Sequence, residues 1–135
     1  MFYITDDKQK IAPESVKLLI EQTYWASDRP LDKIAASIEN SICFGAFDSE
    51  SGELVGFARV VTDFCTCYYL CDVIVDERHR AGGIGTALVS TITSDKRFDA
   101  LEGLLITRDA HGLYSQYGFT SKEGIFMGRG LNSSL

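Results

Sequence analysis

Residues 72–89, D-V-I-V-D-E-R-H-R-A-G-G-I-G-T-A-L-V, put Arg78, His79 and Arg80 one residue before a run holding three glycines, Gly82, Gly83 and Gly85. An alternating apolar run precedes them and a helical apolar pattern follows. Glycine lowers helix stability by about 1 kcal/mol relative to alanine, so a helix that opens on glycines implies a backbone that something must approach. Amides in the first turn of a helix lack intrahelical partners, and the helix dipole adds partial positive charge there. A turn free of side chains lets a phosphate reach those amides, and Arg80 adds a fixed charge beside them. The chemistry is anion binding, with a pyrophosphate the best match.

Three pyrophosphate signatures compete. A P-loop requires a lysine after its last glycine, and none follows here. A dinucleotide fold requires G-x-G-x-x-G, but Leu88 stands where the third glycine belongs. The third signature fits. R-A-G-G-I-G, residues 80–85, resembles the Q/R-x-x-G-x-G/A motif of the GCN5-related N-acetyltransferases (GNAT). L-Y-S-Q-Y-G-F, residues 113–119, resembles the [LF]-Y-x-x-x-G-F signature of the same family. The stretches R-V-V-T-D and T-R-D-A-H-G-L-Y further resemble a branch of small bacterial members.

The resemblance implies an acetyl-CoA co-substrate, with no metal, whose pyrophosphate sits on Arg80, Ala81, Gly82, Gly83, Ile84, Gly85 and Thr86. It implies that the pantetheine arm lies between two splayed parallel strands, residues 66–75 and 103–107, along the backbone of Val73, Ile74 and Val75. An amide there, that of Val73, would face the thioester oxygen and stabilise the oxyanion of the tetrahedral intermediate. Tyr114 takes the family position of the group that gives a proton or hydrogen bond to the leaving sulfur; a phenol of pKa about 10 and a thiol of about 8.5 exchange usefully. The implied reaction is direct acetyl transfer to a primary amine of a small molecule or a protein. A non-catalytic acyl-CoA sensor and an enzyme using a longer acyl-CoA are the alternatives, and homodimers are common in the family.

The general base is not named by the pattern. Tyr69 stands where some members carry a strand glutamate, leaving Asp63, Asp72, Asp109 or bulk water. His79 is expected to face solvent and His111 to cap or pack at the start of a short helix. Cys71 falls near the thioester channel without a positioned partner. Tyr24, Trp25 and Arg29 fall in the helix junction that shapes the acceptor pocket in this family, where aromatic walls suit a ring or a cation.

The elements that must position these residues follow from periodicity. Residues 2–5 suit a short strand. Pro13 opens a helix with Val16, Leu19, Ile20 and Tyr24 on one face, and Pro30 starts a second with Leu31, Ile34, Ala35 and Ile38. Strands over 42–47 and 54–61 flank the turn chemistry of D-S-E-S-G-E and form a hairpin, with a strand over 66–75 joining antiparallel. Ile84, Leu88 and Ile92 make one helical stripe, followed by a strand over 103–107. That strand-helix-strand order implies a parallel pair with a right-handed crossover. A short helix over 110–117 ends at Gly118, and residues 125–127 suit a last strand. The fold class is α/β of the α+β type: a mixed sheet made of an antiparallel meander plus one parallel crossover, in a single domain over 1–135.

Composition bounds the partners. The 135 residues carry a net charge of −6, so the basic footprint of a nucleic-acid binder is missing. No apolar run approaches the roughly 20 residues of a membrane span, and the first residues carry no secretion-signal pattern, so a cytoplasmic location is expected. Cys65, Cys67 and Cys71 have strand spacing, not metal-ligand spacing, and with Cys43 are expected as buried free thiols.

Overall fold

A computed structural model describes residues 1–131. Five strands form one sheet in chain order: β1 (Phe2–Thr5), β2 (Ile42–Asp48), β3 (Leu54–Thr62), β4 (Cys67–Val75) and β5 (Glu102–Leu105). The first four pair antiparallel and β5 joins β4 in parallel. The meander and the single crossover predicted from periodicity are both present. Helices α1 (Pro13–Ile20) and α2 (Leu31–Glu39) precede the hairpin, α3 (Ile84–Thr93) makes the crossover, and α4 (His111–Ser115) follows β5.

Strand alternation sends side chains to both faces, and each face has its own core. Val16, Leu19, Ile20, Ile34 and Ile38 of α1 and α2 pack on Cys43, Phe57 and Ile74. Ile84, Leu88, Val89 and Ile92 of α3 pack with Tyr114 on Phe44, Ala58, Val60, Tyr68 and Leu70. Gly56 lets α3 seat closely, since a Cβ there would meet Ile84 Cγ2 at 2.6 Å.

One irregularity shapes the molecule. Phe57 pairs with Ile74, but Arg59 pairs with Cys71, so β4 spends one more residue than β3. This is a β-bulge, and Asp72 within it has φ +50°, in the left-handed region. Asp visits that region more readily than most residues. The bulge reverses the alternation: Tyr68 and Leu70 face α3, yet so do Val73 and Val75, while Ile74 faces α1 and α2. The parallel pairing with β5 reaches only Leu70↔Leu105. Beyond it β5 ends, and among the described residues β4 runs on to Val75 without a partner on that side.

Some expectations fail. Residues 125–127 form no strand; Ile125, Phe126 and Met127 are 74%, 60% and 93% exposed, because no neighbouring strand meets them among the described residues. Cys65 is exposed, since it lies in the turn that Asp63 caps and not in β4. Tyr24 lies beyond the end of α1, and α4 is shorter than the 110–117 span.

Candidate active site

The glycine turn follows the end of β4, past the stretch that β5 leaves unpaired. Asp76 caps the preceding short 3-10 turn by accepting from the Arg78 amide at 3.0 Å. The chain then passes Ala81 at φ +69° and Gly83 at φ +84° before α3 begins. Gly83 is the residue this turn needs, because a side chain is strained at that φ. The first bond of α3 is donated by the Ala87 amide to the Gly83 carbonyl at 3.0 Å, so the amides of Ile84, Gly85 and Thr86 precede the helical ladder. A Cβ on Gly85 would approach nothing closer than Val75 Cγ2 at 3.6 Å. The result is an open pocket of about 240 Å³, walled by Val75 and Leu113 and floored by Arg80, Ala81 and residues 83–86. Arg80 is exposed, with Nε 3.4 Å from the Val75 carbonyl oxygen to which it donates. Unpaired amides, a helix N-terminus and a guanidinium fit a pyrophosphate.

Strand alternation assigns the amides beyond the bulge. The Asp76 amide donates to the Val55 carbonyl on the β3 side at 2.9 Å. The Ile74 amide shares that side, whereas those of Val73 and Val75 point to the open edge facing β5. Ile74 instead contributes its side chain, buried against α1 and α2. Gly103 holds the far lip close: Tyr68 crosses it so tightly that a Cβ would lie 2.6 Å from the ring.

Tyr114 is buried on α4, its ring edge-on to Phe119 at 6.1 Å. Burial pushes its phenol up to about 12, and Asp109 and Tyr24 add to the rise. The Tyr117 hydroxyl donates to the Thr86 carbonyl at 3.5 Å, tying this segment to the first turn of α3.

Two of the candidate bases, Asp72 and Asp63, have other duties. Asp72 is buried; its Oδ2 accepts from Arg29 Nη1 at 2.8 Å and Arg59 Nε at 2.9 Å, and its Oδ1 from Trp25 Nε1 at 3.2 Å. Burial works to raise its pKa, but hydrogen bonds and charge from Arg29 and Arg59 outweigh it and hold the carboxyl below the ordinary carboxylate range. Asp63 accepts from the Cys65 and Thr66 amides and the Thr66 hydroxyl, bonds that lower its pKa far below the usual range. Neither attracts a proton from an amine at neutral pH. Asp109 is exposed on the loop after β5. Tyr69 stays a neutral phenol: burial, then Cys71 and Asp72, raise its pKa. The Cys71 thiol is pushed by burial up to about 12, which removes it as a nucleophile. His79 is half-buried, with Nε2 3.8 Å from Asp48 Oδ2 and a buried Nδ1, so only part of its ring meets solvent. His111 is exposed.

Sequence reasoning missed Arg59 and the bulge. The signal available was Asp72 itself, a carboxylate inside an apolar strand, since a buried charge demands partners.

The family model for the acetyltransferase (GNAT) domain matches residues 39–121, which span the bulge, the glycine turn and α4. The chain belongs to the GNAT acetyltransferase family. A crystal structure of a GNAT-family protein from Xanthomonas campestris pv. campestris superposes with a TM-score of 0.88 at 35% identity, covering 96% of this chain and 92% of that one. A candidate acetyltransferase of Gibberella zeae is 28% identical over 71% of this chain; the match spans 64% of that protein's length. An aminoglycoside 6'-N-acetyltransferase complexed with coenzyme A shares the fold at a TM-score of 0.55 and 21% identity, over 69% of this chain and 53% of that one. GNAT proteins use acyl-CoA, and among the described residues no helix is long and apolar enough to cross a membrane.

Proposed function

We propose that this GNAT chain is an acetyl-CoA-dependent N-acetyltransferase that passes acetyl directly to a primary amine of a small molecule or a protein. The observation that carries the reading is one alignment: the unpaired amides of the glycine turn open onto the β4 edge that the bulge exposes. Bound acetyl-CoA supplies the activated thioester. Arg80, the amides of Gly82 and Gly83, and those of Ile84, Gly85 and Thr86 hold the diphosphate, while the edge amides of Val73 and Val75 receive the pantetheine arm. The Val73 amide stabilises negative charge on the carbonyl oxygen.

Tyr114 acts as a hydrogen-bond donor to the departing thiolate. With its phenol pushed up to about 12, full transfer to a thiolate of pKa about 8.5 is uphill, so donation of a hydrogen bond is the productive role. Because Asp63 and Asp72 are held as ion-paired or turn-capping carboxylates, the amine loses its proton to water or by way of exposed Asp109.

The test is release of free thiol from acetyl-CoA across a panel of amines, with product masses measured in parallel. Acetylated product supports the enzyme. Calorimetric uptake of acetyl-CoA without product from any amine would assign the chain to the acyl-CoA sensors, and faster turnover of longer acyl-CoAs would change the donor.

A further inference from the structure

The Asp72 carboxylate is shared by two guanidiniums, Arg29 at 2.8 Å and Arg59 at 2.9 Å, whose side chains are only 21% and 16% exposed. Two positive charges against one negative leave one in excess, and no second carboxylate pairs with either arginine among the described residues. A partly buried, uncompensated charge is costly unless it meets an anion. The excess is unusual in a chain of net charge −6.

The place of this charge matters as much as its sign. Asp72 is the bulge residue, one position before the Val73 amide that faces the cleft. Trp25, hydrogen-bonded to Asp72, stacks edge-on with Tyr24 at 4.9 Å, and the Arg108 guanidinium covers the Tyr24 ring at 3.9 Å from its centroid. Arg108 follows β5, so this contact joins the segment after β5 to the junction between α1 and α2. Arg29 and Arg59 against the single Asp72 carboxylate leave this junction positive, beside the Trp25–Tyr24 pair. Such a surface repels a polycation.

Resting on the acetyltransferase reading, we infer that the acceptor is a small amine carrying its own compact anionic group, a carboxylate or a phosphate, which Arg29 receives beside Trp25. Arg29 supplies a planar fork of donors, of which one already serves Asp72. The acceptor's anion completes the charge balance and directs its amine toward the Val73 edge.

Trp25 is the chain's single tryptophan, so its fluorescence reports on the site without requiring turnover. Two matched pairs serve as probes: β-alanine against β-alaninamide, and phosphoethanolamine against ethanolamine. The anionic member of at least one pair should change Trp25 emission and bind about tenfold or more tighter than its neutral partner, the scale of one charge-assisted pair. Which pair responds separates carboxylate from phosphate. Arg29→Gln should abolish that preference and Arg29→Lys should restore part of it, with calorimetric coenzyme A affinity unchanged in both as proof of an intact fold. Arg59 remains on Asp72 in these variants, so no carboxylate is stranded. Equal binding within both pairs, or a preference that survives Arg29→Gln, overturns the inference. Absence of coenzyme A uptake would instead overturn the acetyltransferase reading, and the anion titration of the free protein would still be read.

Discussion

Tyr68 lies across the backbone of Gly103, so close that a Cβ on residue 103 would stand 2.6 Å from both the ring carbon Cζ and the hydroxyl oxygen. The two residues are register partners in the parallel pair β4–β5. Their contact lies within the short stretch over which β4 and β5 pair, and Phe98 braces the ring at 5.3 Å.

Gly103→Ala is therefore expected to lower stability by about 1–3 kcal/mol, the usual cost of forcing extra volume into a packed site. Denaturant midpoints measure it. Adding Tyr68→Leu to Gly103→Ala should recover part of the loss, and a double variant no better than the single would place the strain elsewhere.

Removing the Asp72 carboxylate strands two partly buried guanidiniums. Asp72→Ala should cost about 3–5 kcal/mol, the range for breaking a buried ion pair. Asp72→Asn should cost less, since Asn tolerates the left-handed backbone and still accepts a hydrogen bond. The pH sign follows from the lowered carboxyl. A depressed native pKa adds stability that is present above the unfolded value of about 3.9 and is lost as pH falls through the native value. Unfolding titrations from neutral to acid pH should show wild type losing this share and Asp72→Asn lacking it.

Tyr114→Phe keeps the ring and removes the donor. Turnover should fall by about a hundredfold, the scale of losing one aligned donor at a developing charge, with acetyl-CoA affinity nearly intact. Since burial holds the phenol near 12, the wild-type rate profile should show no limb from this group below about pH 10, the ordinary tyrosine value. Steady-state kinetics across pH decide both points, and an unchanged turnover number removes Tyr114 from the leaving-group role.

Arg80→Ala should weaken coenzyme A binding by about 1–3 kcal/mol, the worth of a charge-assisted hydrogen bond. A pantetheine analogue without phosphates should lose far less. Gly83→Ala should weaken the same ligand by a different route, because its φ of +84° strains any side chain. Calorimetry with both ligands distinguishes charge from backbone shape.

The glycine turn was legible because its chemistry is local: residues 80–86 sit in one stretch between a strand and a helix, and periodicity places both. The meander was legible for the same reason, since each turn, such as Asp48 accepting from the Glu50 and Ser51 amides, is written in adjacent residues. The bulge was not, because C-Y-Y-L-C-D-V-I-V reads as unbroken alternation whether or not a residue is extra. Nor was the Arg29–Asp72–Arg59 cluster, whose members lie 43 and 13 positions apart from the shared carboxylate. Residues 125–127 have strand composition, but a strand also needs an adjoining edge, and apolar content cannot report whether one is within reach.

The extra residue at Asp72 makes the opening a matter of counting. Substitutions along β4 tune size and charge around the gap, but none of them changes the phase by which Val73 and Val75 turn toward α3. A one-residue deletion does change it: the parity of the strand would run unbroken from Tyr68 onward, and the ladder with the neighbouring parallel strand could close like a zipper whose teeth again match. Drift by point mutation can therefore reshape what enters this molecule while leaving the doorway standing, and only an insertion or deletion in the frame of β4 can shut it.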